Sequence, residues 1–128
     1  MVLVDTSVWV EHLRKGEASL KELLERNMAL THPCVIGELA CGAIANRPRI
    51  LKDLTALPRA TPATNDEALH LIQERRLWGR GIGWVDVQLL ASALLSNCRL
   101  WTLDEKLNLA AREAGVRPFR AKGGAAPA

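Results

Sequence analysis

The chain has 128 residues, enough for one ordinary domain and too few for a second core. Hydrophobic residues at 48% and charged residues at 24% suit a folded globular chain and exclude a disordered one. Seventeen Lys and Arg against fourteen Asp and Glu leave a formal +3, a mild basic balance that admits a nucleic-acid partner.

No apolar run approaches the ~20 residues of a membrane span. The apolar opening, residues 1–10, is interrupted by Asp5 and has no basic leader, so no signal peptide is expected. Three cysteines, Cys34, Cys41 and Cys98, are odd in number and lack C-x-x-C spacing. They read as reduced core residues of a cytoplasmic protein.

In chain order, Val2-Leu3-Val4 is apolar on both faces and suits a central parallel strand. Thr6 or Ser7 is the expected cap of the helix that follows, through about His12. A second helix is predicted over 18–26, with Leu20, Leu23 and Leu24 on one face, then a short strand over 28–31. Pro33 opens a helix through about Ile44, and Pro48 opens another. Pro58 and Pro62 bracket a weakly extended stretch, and Asn65 or Asp66 caps the next helix. After the glycine-punctuated loop 79–83, a strongly periodic helix is predicted over 84–95. A strand over 98–103, a helix capped by Asp104 and running to about Glu113, and an edge strand over 116–119 complete the pattern. Strands alternating with helices argue for an α/β sandwich with a small, mostly parallel sheet. Residues 1–120 form the domain, and 121–128 read as a flexible tail.

Four acids stand apart from those on ordinary polar helix faces. Asp86 shares its helix face with Leu89, Leu90 and Ala93, and Glu38 shares its face with Val35, Cys41, Gly42 and Ala45. Neither has a Lys or Arg at i±3 or i±4. Asp5 and Asp104 each follow a β-rich run, near strand C-terminal ends, where open α/β sheets place their ligand crevice. Carboxylates brought together there repel one another unless a cation intervenes, and all-oxygen ligation favours Mg²⁺ or Mn²⁺. Taken singly, each acid is equally well read as a helix cap or a solvated charge.

The segments around these acids, Val4-Asp5-Thr6-Ser7-Val8-Trp9-Val10, Val35-Ile36-Gly37-Glu38-Leu39-Ala40, Ile82-Gly83-Trp84-Val85-Asp86 and Leu100-Trp101-Thr102-Leu103-Asp104, resemble PIN-domain ribonucleases of the VapC toxin type. The resemblance runs from Val2 to about Phe119. It implies a three-layer α/β/α fold, Mg²⁺-dependent endoribonuclease activity, a homodimer and a cognate VapB-like antitoxin. The family's acidic quartet falls on Asp5, Glu38, Asp86 and Asp104, its hydroxyl after the first acid on Ser7, and its threonine before the last acid on Thr102.

Asp5 and Asp86 are the first choices as direct metal ligands, with Ser7 and Thr102 orienting carboxylates. Setting the quartet aside leaves 17 basic against 10 acidic residues, a net +7 suited to a polyanion. Arg80 and Arg14 are the leading RNA-contact candidates. His12, His32 and His70 have no metal spacing and read as structural, and the loop 79–83 lacks the Lys-Ser/Thr ending of a P-loop. An apolar groove walled by the first two helices and the Pro33 helix, with Leu20, Leu23 and Leu24, is the expected seat of an antitoxin helix presenting an arginine. The competing readings are a stand-alone PIN-type nuclease in RNA processing, a phospho-receiver signalling domain and a non-catalytic RNA-binding module. The receiver would need adjacent acids after the first strand, where Asp5 is followed by Thr6 and Ser7.

Overall fold

The computed structural model describes residues 1–122. Its elements are β1 (Val2–Val4), α1 (Thr6–Lys15), α2 (Ala18–Glu25), β2 (Ala29–Leu30), α3 (Pro33–Ala40), α4 (Arg47–Ala56), α5 (Asn65–Arg75), α6 (Trp84–Ser96), β3 (Arg99–Trp101) and α7 (Glu105–Glu113). The three strands form a parallel sheet in the order β2-β1-β3, with Leu3 level with both Leu30 and Leu100. Val2, Leu3 and Val4 are all buried, as a strand covered on both faces requires.

Isolated parallel bridges, Thr31 to Arg59 and Leu100 to Pro118, extend the sheet by one short segment on each side. The chain thus winds outward from β1 through β2 to residue 59, then returns past β1 to β3 and on to residue 118. Right-handed crossovers place α1 to α4 on one face and α5 to α7 on the other, giving three layers. The helix pairs that pack together, α1 with α3, α3 with α4, and α5 with α6, agree with that division. The reversal falls between β1 and β3. A ligand crevice is expected there, outside the strand C-terminal ends.

Several local expectations are revised. Asp5, not Thr6 or Ser7, is the N-cap of α1, and its side chain makes no capping bond. Both hydroxyls are used elsewhere, as described below. Helix α1 continues to Lys15 and stops at Gly16, whose φ of 81° is costly for other residues. Helix α3 ends at Ala40 rather than near Ile44. Gly42 follows, and Asn46 at φ 53° swings the chain into α4. Thr64 caps α5 in a reciprocal arrangement with Glu67, replacing Asn65 or Asp66. The strand over 98–103 is cut to Arg99–Trp101, because the Thr102 hydroxyl turns toward Asp5. The strand over 116–119 is reduced to one bridge, in which Leu100 N donates to Arg117 O and Phe119 N to Leu100 O. Pro118 has no N–H for a longer ladder.

All three cysteines are free. Among the described residues no helix is long and apolar enough to cross a membrane. Of the expected tail, Ala121 packs against the core, and Lys122 donates to Ser19 Oγ and reaches Glu22. Residues 123–128 lie outside the described residues.

Candidate active site

Asp5 continues from β1 toward the reversal point, and its backbone N–H donates to Trp101 O at 2.9 Å. Its side chain is buried. Oδ2 accepts from Ser7 Oγ at 2.8 Å and from Thr102 Oγ1 at 2.7 Å. The same hydroxyl oxygens accept backbone donors from the next loop, Leu103 N on Ser7 Oγ and Asp104 N on Thr102 Oγ1, each at 3.1 Å. One knot therefore ties the end of β1, the start of α1 and the end of β3. Asn108 from α7 closes it, donating from Nδ2 to Thr102 O at 3.0 Å.

Asp86 is half-buried in the first turn of α6, where Oδ2 accepts from Gly83 N at 2.9 Å. Burial raises its pKa, opposed by the Gly83 hydrogen bond. The negative charges of Asp5, Asp104 and Glu38 push the same way as burial. Asp104 caps α7, its Oδ1 accepting from Lys106 N at 2.9 Å and Leu107 N at 3.3 Å. Glu38 on α3 is held by Thr6, whose Oγ1 donates to Oε1 at 2.6 Å.

Each carboxylate of the quartet thus has one oxygen held by protein donors and a second that no described donor reaches. Among the described residues none of the four is ion-paired, although Glu11, Glu22, Asp53 and Glu113 are. The expectation of two inward-facing helix acids is corrected for Glu38, which is exposed, as is Asp104. Leu39 beside Glu38 meets the core, while Glu38 itself lines an open groove. Nor does the quartet form a tight cage: among the described residues, no three His, Cys, Asp or Glu side chains converge at metal-ligating distance.

A PIN domain family model matches residues 2–113. The chain belongs to the PIN-domain family. Ribonuclease VapC32 of Mycobacterium tuberculosis, from two strains, is 52% identical over 117 residues, covering 91% of this chain and 94% of that protein. That identity places this PIN domain among the VapC-type ribonucleases. The crystal structure of FitAcB from Neisseria gonorrhoeae shares the fold, with a TM-score of 0.66, 17% identity, and 94% and 97% of the two chains covered. PAE2754 from Pyrobaculum aerophilum does so at a TM-score of 0.55 and 20% identity, covering 89% of each chain.

Both leading RNA-contact candidates of this PIN domain are ion-paired. Arg80 pairs with Glu113 on α7, and Arg14 pairs with Glu11 at 2.6 Å, so neither is an uncommitted phosphate contact. Lys106 has no acidic partner among the described residues. Its side chain lies across Gly81, where φ is +76° and a Cβ would stand 2.8 Å from the lysine Cδ. Leu20 and Leu23 are core residues, and Leu24 lines a small hollow of about 180 Å³ with Trp9, Leu13 and Leu54. A groove of about 530 Å³ does have α1 and the Pro33 helix α3 as walls, with α4 in place of α2, and Thr6, Val10, Leu13, Glu38, Leu39 and Ile50 line it.

Among the described residues no histidine hydrogen-bonds to or pairs with a quartet acid. His32 caps α3 by accepting from Cys34 N at Nδ1, leaving Nε2–H for Ser92 Oγ at 3.0 Å. Burial, then the charge of Arg59, lowers its pKa. Sequence reasoning missed Thr6 as the partner of Glu38, Gly83 as that of Asp86, and Asn108 as the lock on Thr102. Only Gly83 left a usable signal, since an acid three residues beyond a cap position is a recognised pattern.

Proposed function

We propose that this VapC-type ribonuclease is a Mg²⁺-dependent endoribonuclease, the toxin of a toxin–antitoxin pair, with Asp5, Glu38, Asp86 and Asp104 holding the metal. The carrying observation is the shared pattern of the quartet, one oxygen anchored and one left open on each acid, with no Lys or Arg ion-paired to any of them among the described residues. An all-oxygen donor set fits Mg²⁺ or Mn²⁺. The spacing fits as well, since Mg²⁺ keeps several waters and takes only one or two carboxylates directly.

Bound there, the metal would activate a water and offset charge on the phosphoryl oxygens. The protein's own part is to aim the carboxylates. Ser7 and Thr102 pin Asp5 through Oδ2, which leaves Oδ1 without a donor among the described residues. Gly83 does the same for Asp86, and the α7 amides do so for Asp104. Asp5 and Asp86 are the direct ligands in this reading. Glu38, exposed and steadied by one hydroxyl, and Asp104 act through water. The net +7 of the remaining residues draws the RNA backbone to the crevice.

The antitoxin reading rests on the family and on the groove that begins at Glu38. A partner helix seated there would bring a basic side chain to the carboxylates. Exposed Leu94 and Leu95, beside an apolar trough between α5 and α6, are the surface offered to a second copy in a homodimer. The test is incubation of the purified protein with single-stranded RNA in Mg²⁺ and in EDTA, alone and co-purified with the product of the adjacent upstream gene. Cleavage that survives EDTA overturns the metal reading. A complex that cleaves as fast as the free protein overturns the inhibitory partner.

A further inference from the structure

The C-terminal ends of β1, β3 and the 117–119 segment lie side by side along one end of the parallel sheet, and Asp5 marks only the first of these positions. At the next, a pocket of about 180 Å³ opens between the end of β3 and residues 119–121. Thr102, Leu103, Glu105, Asn108, Phe119 and Arg120 line it. Thr102 is a shared wall, since its hydroxyl holds Asp5 on the other side.

Asn108 is only 5% exposed. Its Nδ2 donates to Thr102 O, which fixes the amide orientation and makes Oδ1 an acceptor. Among the described residues no donor reaches that oxygen. The residue is buried, but this oxygen keeps access to solvent, so it can accept from a donor that enters the pocket. Phe119, packed on Trp101 with ring centroids 4.8 Å apart, and the exposed Leu103 give the pocket apolar surface. Glu105 adds a second acceptor. Arg120 is exposed and without an ion pair among the described residues.

We propose that this pocket is a nucleobase subsite, receiving the base beside the scissile phosphate of single-stranded RNA; the proposal rests on the ribonuclease reading above. Two acceptors, Asn108 Oδ1 and the Glu105 carboxylate, match a base with adjacent N–H donors. Guanine has this pattern at N1 and its 2-amino group. Uracil, with one N–H between two carbonyls, lacks it. Leu103 and Phe119 supply a face for the ring, and Arg120 meets the backbone of the same nucleotide. Only an unpaired nucleotide can present that edge to a protein pocket.

The test uses the full chain, ¹⁵N-labelled and in EDTA, titrated with guanosine and uridine monophosphates. The guanosine nucleotide is expected to shift the Asn108 side-chain amide at concentrations where the uridine nucleotide leaves it in place. In Mg²⁺, cleavage of a randomised single-stranded RNA is expected to favour guanine at one position flanking the cut. Glu105→Gln should lower the guanine-to-uracil ratio there by roughly five-fold or more. Equal shifts with both nucleotides, no shift at Asn108, or an unchanged ratio in E105Q overturns the subsite. A guanosine-selective shift in a protein that cleaves no RNA upholds the subsite and overturns the nuclease reading instead.

Discussion

Asp5 and Glu38 both press their charge on Asp86, yet they are supported in opposite ways. Asp5 is 7% exposed, and two hydroxyls from different elements grip its Oδ2. Glu38 is exposed on a helix, with the Thr6 hydroxyl its one side-chain partner among the described residues. In the proposed metal site, strand-end placement would make Asp5 a preorganised ligand, held before any cation arrives. Helix placement leaves Glu38 free to move between roles. The crevice thus has a rigid half built on β1 and β3 and an adjustable half built on α3, beside the groove proposed for the partner.

The sharpest break of that comparison is at the rigid half. Asp5→Asn keeps shape and removes charge, so RNA cleavage in Mg²⁺ is expected to fall by more than about 100-fold, beyond the usual effect of losing a supporting residue. Circular dichroism should show an unchanged fold. Cleavage within a few-fold of wild type would remove Asp5 from the metal site. Thr102→Val tests the grip rather than the ligand. It strips one donor from Asp5 Oδ2 and the acceptor from Asp104 N, so cleavage and Mg²⁺ affinity by calorimetry should both drop by roughly 10–100-fold.

At the adjustable half the same kind of change should matter less. Thr6→Val removes the hydroxyl that steadies Glu38, and cleavage is expected to fall by only a few-fold because the carboxylate is solvated in any case. A loss as large as that of Thr102→Val would show that Glu38 is positioned as tightly as Asp5. The difference between the halves would then be one of exposure alone.

Parts of this asymmetry were readable in the sequence. Val2-Leu3-Val4 announced a central strand, and the position of Asp5 at its end followed. The apolar neighbours of Asp86 foretold its partial burial. Glu38 has equally apolar neighbours, but Val35 and Leu39 meet the core while the turn after Ala40 opens onto solvent. Helical spacing names a shared face without saying what covers it. The hydroxyl grip was only half legible, since Thr102 meets Asp5 across 97 residues and no local pattern specifies that pairing. Arg80 shows the same limit. Its place in the glycine loop before α6 singles it out as an RNA contact, but its ion pair with Glu113 spans 33 residues, which no local pattern specifies.

The smallest effect concerns stability and tests whether the two halves are electrostatically joined through Asp86. Burial, aided by the charges of Asp5, Asp104 and Glu38, raises its folded-state pKa above the unfolded value, despite the Gly83 hydrogen bond. The ionised carboxylate therefore opposes folding, and this cost is complete above the folded-state pKa. Below the unfolded pKa the group is protonated in both states and the cost vanishes. Asp86→Asn removes the charge and keeps an oxygen for Gly83 N–H. In EDTA at neutral pH its melting temperature should exceed that of the wild type, and the gap should close as pH falls through the carboxylate range. Adding Mg²⁺ should reverse the order, because only the wild type gains a bound ion. Thermal scans at several pH values, with and without Mg²⁺, measure all three changes. A neutral-pH gap that is absent or inverted in EDTA would mean that the halves do not share a field at Asp86, and that the rigid carboxylate at the end of β1 acts alone.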